Sequence, residues 1–198
     1  MNHTTIARAL SALRNGEVIV YPTDTLYALG ADVFNDIAIQ KIFLIKKRPE
    51  TLALPIAVGS ISEIEKIGYL TPLAEIVANH FLPGPVTLLI QKKECISKKI
   101  TGGRETVAVR IPNHPLALHL LSTFGPLTAT SANIHAQETP QSTRDIQAQL
   151  HGDVAVFLDG GRLKGLPSTI VDVTTEKPVI VRQGVVSSEE IMAVVEHG

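Results

Sequence analysis

The sequence has very little of several features on which whole classes of protein depend. Among its 198 residues there is one cysteine, Cys95. A single cysteine excludes an internal disulfide framework and a zinc site built from cysteines. No apolar run approaches the roughly 20 residues that span a bilayer, and the N-terminal segment lacks the apolar centre of a signal peptide. We therefore expect a protein that has no membrane segment and works in the cytoplasm.

An excess of charge of one sign is also missing. The 18 Lys and Arg residues nearly balance the 19 Asp and Glu residues, which gives a formal net charge of -1. Such a chain is not expected to coat nucleic acid, although a local basic patch is still compatible with this balance. The length suits one domain, and no linker, repeat or low-complexity segment divides the chain. We expect residues 1–198 to form that single domain.

The common phosphate-binding and metal-binding motifs are absent as well. The sequence contains neither G-x-x-x-x-G-K-[ST] nor G-x-G-x-x-G, so a P-loop or a Rossmann phosphate site is not predicted. Its seven histidines are scattered and show no H-E-x-x-H or other paired spacing. No metal site held by the protein itself is therefore predicted.

What the sequence does contain is a regular alternation of apolar and amphipathic segments. Apolar runs typical of strands lie at residues 17–21, 54–58, 86–91, 106–111, 127–131, 154–159, 168–174 and 178–183. Helical patterns lie at residues 6–13, 36–46, 71–81, 114–124, 142–150 and from 187 onward. Wholly apolar strands that alternate with helices indicate an α/β fold with helices covering the sheet. The succession of strands after residue 150 indicates a mixed sheet.

Three consecutive cations, Lys46, Lys47 and Arg48, stand at the end of the second predicted helix. Because a residue before proline is disfavoured in a helix, we expect this helix to end at Arg48 and Pro49. An exposed cation at a helix C-terminus contributes about 0.3–1 kcal/mol through the helix dipole. The alternative is that the cations bind an anionic ligand.

Polar side chains follow or interrupt several of the predicted apolar strands. They include residues 23–25, Arg110, residues 128–133, residues 168–169 and Arg182. Ligands of open α/β sheets bind beyond the carboxyl ends of the strands, and guanidinium groups pair with phosphate or carboxylate. The set therefore suits a multiply charged oxyanion. Taken alone, Arg110 fits a buried ion pair and a ligand contact equally well.

Seven segments, in order, resemble the motifs of the YrdC-like threonylcarbamoyl-AMP synthase family. YPTDTLYALG resembles its Y-P-T-[ED]-T-x-Y-G-L-G opening, and IKKRP resembles its K-x-R element. FLPGPVTLLI, VAVRIPNHP and ATSAN are similar to its W-P-G-P-x-T, V-R-x-P-x-H-P and S-x-N elements. LPSTIVDV and VIVRQG resemble its C-terminal motifs. The resemblance covers residues 16–186 and is specific because all seven occur in the family order.

The resemblance implies a curved mixed sheet flanked by helices around a large, concave, basic cavity. It implies an enzyme, a nucleotidyltransferase that joins L-threonine, bicarbonate and ATP into threonylcarbamoyl-AMP and releases pyrophosphate. Mg²⁺ would accompany the ATP. The product would serve a separate threonylcarbamoyl transferase complex that modifies tRNA, with which this chain could also make contact.

The resemblance also assigns roles to individual positions. Its catalytic signature falls on Lys46, Arg48, Ser131 and Asn133. The threonine-binding positions fall on Thr25, Arg110, Ala129 and Ser168. The ATP-binding positions fall on Arg48, Thr106, Ser131, Thr139 and Arg182.

The chain departs from the family pattern at several positions. Leu52 stands near the place of a polar phosphate neighbour, Ala57 replaces a histidine of some members, and SANIHA replaces S-A-N-x-S-G. These departures keep two alternatives open. One is a paralogue that acts on another carbamoyl or acyl donor, and the other is a non-catalytic module that binds tRNA.

Overall fold

The computed structural model describes residues 3–150, 153–163 and 165–197. Its helices are α1 (His3–Arg14), α2 (Asp36–Lys46), α3 (Ile61–Ile67), α4 (Pro72–Phe81), α5 (Lys98–Thr101), α6 (Pro115–Phe124), α7 (Thr143–Gln149) and α8 (Ser188–His197). Its strands are β1 (Val18–Tyr21), β2 (Ala28–Gly30), β3 (Ile56–Ala57), β4 (Gly68–Tyr69), β5 (Val86–Lys92), β6 (Thr106–Arg110), β7 (Leu127–Thr128), β8 (Thr130–Ser131), β9 (Val154–Phe157), β10 (Thr169–Asp172) and β11 (Val179–Arg182). Within these residues no helix has the length and apolar character needed to cross a membrane.

The strands form two sheets, and both sheets are mixed. The smaller sheet has the order β8-β2-β1-β9, in which β1 is antiparallel to β2 and parallel to β9. The larger sheet has the order β11-β10-β5-β6-β3-β7, with β4 paired to β5. In it β5 runs parallel to β10 and antiparallel to β6. The expected mixed α/β fold is confirmed, with its strands divided between two sheets.

Strand β1 shows why the apolar runs are so uniform. Val18 and Val20 belong to the main hydrophobic cluster, whereas Ile19 and Tyr21 belong to a second cluster beneath α1 and α6. All four side chains are fully buried. Because successive strand residues face opposite sides of a sheet, a strand covered on both faces is apolar throughout.

The single strand predicted at 127–131 is wrong, because this segment belongs to both sheets. β7 pairs with β3 in the larger sheet, and β8 pairs with β2 in the smaller one. Ala129 lies at the crossing, where its N–H donates to the Pro55 carbonyl over 2.7 Å. Apolar pattern alone does not reveal such a crossing, because the residues on both sides of Ala129 still belong to strands. β2, β4, α3 and α5 were not predicted.

Helix α2 spans Asp36–Lys46, which confirms the helical pattern at residues 36–46, and it ends two residues before Arg48 and Pro49. Lys47 adopts the left-handed conformation (φ 50°, ψ 42°), and its N–H donates to the Leu44 carbonyl. The Arg48 N–H donates to the Phe43 carbonyl over 3.0 Å. These two bonds form a Schellman motif, which satisfies the last carbonyls of the helix. The left-handed residue redirects the chain, so Lys46 and Arg48 leave the helix end in different directions.

Replacing Lys47 by glycine is expected to stabilise the protein by about 0.5–1 kcal/mol. Left-handed backbone is costly for a residue with a Cβ, and this relief exceeds the entropy that glycine loses on folding. The measurement is the unfolding free energy from denaturant titration. The matched control is Lys66→Gly, an exposed lysine inside α3, where glycine should destabilise by a similar amount. Destabilisation of similar size in both variants would contradict the role given to Lys47.

Candidate functional site

Two connected cavities lie where the two sheets approach each other. The first cavity has a volume of about 440 Å³ and the second of about 590 Å³. Both are lined by Leu26, Arg48, Ser131, Pro167 and Arg182. These shared residues make the two cavities parts of one site.

Every site residue predicted from the sequence lines at least one of these cavities. The first cavity holds Thr25, Arg48, Thr106, Arg110, Ala129, Ser131, Ser168 and Arg182. The second holds Lys46, Arg48, Ser131, Asn133, Thr139 and Arg182. All four positions that the resemblance gives to threonine therefore lie in the first cavity. The structure brings the predicted residues together, and their individual roles stay predictions.

Arginine dominates the charge of the first cavity. Arg48, Arg104, Arg110 and Arg182 line it, and in the described part of the chain no aspartate or glutamate does. Burial lowers the pKa of Arg48 and of Arg182. Burial also lowers the pKa of Arg110, while the nearby Asp24 carboxylate opposes that shift. Desolvated guanidinium groups grouped in this way favour an anionic ligand, which would restore the lost solvation.

Arg110 lies at the end of β6 and is held by three partners. Its Nη2 donates to Asp24 Oδ1 over 2.6 Å and to the Gly84 carbonyl over 3.0 Å. Its Nη1 donates to Thr25 Oγ1 over 2.8 Å. The side chains of Arg110 and Asp24 are only 6% and 14% exposed. Arg110 therefore forms a buried ion pair and also lines the first cavity, so both interpretations of this residue have a structural basis.

The hydroxyl of Thr25 has a fixed hydrogen-bond direction. Thr23 Oγ1 accepts from the N–H groups of Thr25 and Leu26 and donates to the Leu26 carbonyl over 2.6 Å. Its hydrogen is thus committed, so at the 3.0 Å contact between the two hydroxyls Thr25 is the donor. With its hydrogen given to Thr23, Thr25 Oγ1 can offer a ligand only an acceptor.

Lys46 is almost completely buried, with 1% of its surface exposed. Its Nζ donates to the carbonyl oxygens of Ser131 and Asn133 and to Asn133 Oδ1, the last over 3.1 Å. An ammonium group has three N–H donors, and these three acceptors use all of them. Burial and the neighbouring Arg48 lower the pKa of Lys46 to about 7. Treating Lys46 as an exposed helix-end cation is therefore wrong.

Ser131 and Asn133 belong to a loop that is closely tied to Lys46. Ser131 Oγ donates to Asn133 Oδ1 over 2.6 Å, and Asn133 Nδ2 donates to the carbonyls of Ile134 and Gln137. The backbone N–H of His135 donates to the Lys46 carbonyl over 2.7 Å. The spacing of the S-x-N element thus lets one asparagine side chain organise the loop and accept from the buried lysine.

Arg48 and Arg182 line both cavities and donate hydrogen bonds to the backbone of the cavity wall. Arg48 Nη2 donates to the Ala53 carbonyl over 2.9 Å, which ties the segment after α2 to the cavity wall. Arg182, at the end of β11, donates through Nη2 to the Ser168 carbonyl over 2.9 Å. Ser168 Oγ lies 2.8 Å from Thr87 Oγ1. Both arginines keep further N–H groups for a ligand, since these bonds use only some of their five donors.

Two side chains of this region, those of Arg104 and His135, were not predicted from the sequence. Asp24 was included in the polar set at the strand ends but was given no role, although its ion pair with Arg110 makes it essential to the geometry. Arg104 and His135 line the cavities, but neither belongs to the motifs that carried the resemblance. A charged residue between two threonines at a strand end was the available signal for Asp24. No comparable signal marked Arg104.

The fold and the site define an α/β protein with an arginine-lined cavity between two mixed sheets. The family model Sua5_yciO_yrdC, described as "Telomere recombination", matches residues 11–184. The chain belongs to this family.

Curated relatives match nearly the whole chain but extend beyond it. The threonylcarbamoyl-AMP synthase of Pyrococcus abyssi is 37% identical over 190 residues, which are 94% of this chain and 56% of that protein. The Bacillus subtilis protein of the same name is 37% identical over 198 residues, covering 98% of this chain and 57% of its own. The chain thus spans little more than half the length of these relatives.

A solved structure gives the same result for the fold. The crystal structure of P. abyssi Sua5 complexed with L-threonine superposes with a TM-score of 0.91 at 38% identity. The match covers 96% of this chain and 56% of that one. The predicted family and fold class are therefore confirmed.

Proposed function

We propose that the chain synthesises threonylcarbamoyl-AMP from L-threonine, bicarbonate and ATP, with release of pyrophosphate. The observation that carries the proposal is the pair of connected cavities that share Arg48, Ser131 and Arg182. A reaction that joins an amino acid to a nucleotide requires adjoining spaces for both. The names of the relatives and the threonine in the P. abyssi complex support this assignment.

In this proposal threonine binds in the first cavity. Arg110 Nη1 offers its second N–H to the carboxylate, because only one of its two N–H groups is used by Thr25. Thr25 Oγ1 is an acceptor, which suits the amine or the hydroxyl of the amino acid rather than its carboxylate. Ala129 and Ser168 complete the predicted threonine contacts in the same cavity.

ATP extends from the first cavity into the second. Its contacts are assigned to Arg48, Thr106, Ser131, Thr139 and Arg182. Arg48 and Arg182 line both cavities, so their guanidinium groups can meet a phosphate chain at the junction. Lys46 lines the second cavity, where it contributes its charge, and it holds the loop of Ser131 and Asn133 in place.

The chemistry requires alignment and charge neutralisation more than acid–base catalysis. The amine of threonine and bicarbonate condense to a carbamate with loss of water. A carbamate oxygen then attacks the α-phosphorus of ATP, and the bond from that phosphorus to the pyrophosphate breaks. Because both reactants are anions, fixed cations at the junction lower the barrier by stabilising the charge of the transition state.

Mg²⁺ is proposed to enter with its nucleotide as MgATP. In the described residues no cluster of three His, Cys, Asp or Glu side chains could hold a metal ion. Glu138 is the carboxylate among the residues that line the second cavity there. Mg²⁺ commonly keeps several waters and binds substrate phosphates with one or two carboxylates, which such a site allows. When bound, the ion would neutralise phosphate charge.

The product is an activated mixed anhydride, and its proposed use is in tRNA. A separate threonylcarbamoyl transferase complex would move the threonylcarbamoyl group from it to an adenosine of tRNA. This places the work of the chain in the cytoplasm, where ATP and tRNA are available.

The decisive assay measures pyrophosphate release by the purified chain with MgATP, bicarbonate and each amino acid in turn. Release that depends on threonine and on bicarbonate supports the proposal. Release with a different amine or acyl donor would favour the paralogue instead. Binding of tRNA without any turnover of ATP would favour a non-catalytic module.

Replacing Arg110 by lysine should raise KM for threonine about tenfold or more and leave KM for ATP within about twofold. Lysine keeps the positive charge but has only three N–H donors, and the three protein partners Asp24, Gly84 and Thr25 would use all of them. No donor would remain for the carboxylate, and a lost charge-assisted hydrogen bond is worth about 1.5–3 kcal/mol. The measurement is steady-state pyrophosphate release with each substrate varied. Equal increases in both constants would show that Arg110 is only a structural ion pair.

A further inference from the structure

The ion pair between Asp24 and Arg110 contains both of the unsatisfied polar atoms in the described part of the chain. Asp24 Oδ2 and Arg110 Nε are buried side-chain atoms without a hydrogen-bond partner. A bidentate contact, in which both carboxylate oxygens accept from the guanidinium, is the usual way to satisfy such a pair. Unsatisfied buried groups are costly, so their presence calls for a physical reason.

The reason lies in how the guanidinium is held. Nη2 gives its two N–H groups to Asp24 Oδ1 and to the Gly84 carbonyl, and Nη1 gives one to Thr25. These three partners fix the plane of the group and its rotation about the side-chain axis. The fixed orientation engages a single carboxylate oxygen instead of both.

The three partners also differ in their position relative to the first cavity. Thr25 and Arg110 line that cavity, whereas Asp24 and Gly84 do not. Nη2 is therefore bound from behind the cavity wall, and Nη1 is the nitrogen beside a cavity-lining residue. The uncommitted N–H of Nη1 is the one best placed for a ligand.

Thr25 depends on the same arrangement. Its Oγ1 accepts from Nη1 over 2.8 Å and donates to Thr23. Rotation of the guanidinium would break this bond and release the Thr25 hydroxyl from its fixed direction. The position of one carboxylate thus determines two of the groups proposed to contact threonine.

We propose that Asp24 is a positioning residue for the amino-acid substrate and acts through Arg110. By holding Nη2 behind the wall, it directs Nη1 toward the α-carboxylate and fixes Thr25 as an acceptor for the amine or hydroxyl. Asp24 itself does not touch the substrate. The contact with threonine rests on the proposed function, but the positioning of Arg110 does not.

The positioning is tested first without substrate, by NMR of ¹⁵N-arginine-labelled protein. In Asp24→Asn, which removes the charge at nearly constant volume, exchange of the Arg110 Nη–H protons with solvent should accelerate about tenfold or more. The control is Asp36→Asn, which removes a carboxylate from the exposed pair with Lys99 and should leave this signal unchanged. Unchanged exchange in Asp24→Asn would overturn the proposal.

The functional consequence is tested by kinetics on the same variants. Asp24→Asn should raise KM for threonine about tenfold, leave KM for ATP within about twofold and add nothing further in an Arg110→Lys background. A residue that serves only stability would lower Tm and the amount of active protein but would not move one KM alone. Additive effects, or equal effects on both substrates, would overturn the proposal. Asp24→Glu, which restores the charge, should recover part of the threonine affinity.

The two proposals fail separately. If the native chain shows no pyrophosphate release that depends on threonine, the proposed function is wrong. The exchange measurement then still decides whether Asp24 positions Arg110.

Discussion

Replacing Arg48 by alanine is expected to slow threonine-dependent pyrophosphate release by about 100- to 1,000-fold while destabilising the fold by only about 1 kcal/mol. Arg48 lines both cavities and is half-buried. Its clearest bond to the protein is the one from Nη2 to the Ala53 carbonyl, over 2.9 Å. Removal of the Arg48 side chain therefore costs the fold little stability. The reaction loses a cation at the junction where the phosphates must lie.

The size of the expected effect follows from where charge develops in the reaction. Attack of a carbamate on a phosphate brings two anions together, and a fixed guanidinium at that point costs no reorganisation as the charge moves. An adjacent cation in solvent has no such advantage, because its field is screened by water. Arg48 and its neighbour Lys47 should differ sharply for this reason.

Lys47→Ala is the matched control for Arg48→Ala. Lys47 is exposed, lines neither cavity and immediately precedes Arg48. Its replacement keeps a non-glycine residue in the left-handed position, so the turn should persist. We expect Lys47→Ala to keep nearly full activity. If both variants kept nearly full activity, or if both lost activity to a similar extent, Arg48 would not act on the phosphates.

The cations of the IKKRP segment illustrate what can be predicted from sequence and what cannot. Motif order predicted that Lys46 and Arg48 belong to one site, and both residues line the second cavity. The sequence does not show that Lys47 is left-handed, because this conformation is set by the two backbone bonds that end α2. Without that turn, three adjacent cations look like one exposed cluster. With it, Lys46 is buried in the wall of the second cavity, Lys47 is exposed, and Arg48 lines both cavities.

Asp24 shows a second limit of prediction from a single sequence. Its partner Arg110 is 86 residues away in the chain, and the contact exists only because β1 and β6 belong to sheets that meet at the cavity. A single sequence contains no distance information of this kind. The buried charge of Arg110 did predict that some partner must exist, but it did not identify Asp24.

Replacing Lys46 by methionine is expected to destabilise the protein by about 1–3 kcal/mol and to abolish most activity. Methionine fills a similar volume but has no donor, so three oxygens of Ser131 and Asn133 lose their shared partner. The Ser131 carbonyl still accepts from the Asn133 N–H, and Asn133 Oδ1 still accepts from the Ser131 hydroxyl. The Asn133 carbonyl is the acceptor that loses its donor, and a buried acceptor without a donor costs about 1–3 kcal/mol. The measurement is the unfolding free energy from denaturant titration. A loss below about 1 kcal/mol would contradict the buried role of Lys46.

The charge of Lys46 can be separated from its hydrogen bonds by varying pH. Because burial and Arg48 lower its pKa to about 7, the ammonium form is present below that pH and is lost as the pH rises above it. The neutral amine has only two N–H groups for three acceptors, and it no longer attracts the phosphates. ATP affinity, measured by calorimetry in the absence of threonine, should therefore weaken between about pH 6 and pH 9. In Lys46→Met the same titration should be nearly flat over this range, since the titrating group is gone. A fall of equal size in both proteins would assign the pH dependence to another group and remove Lys46 from the binding of the triphosphate.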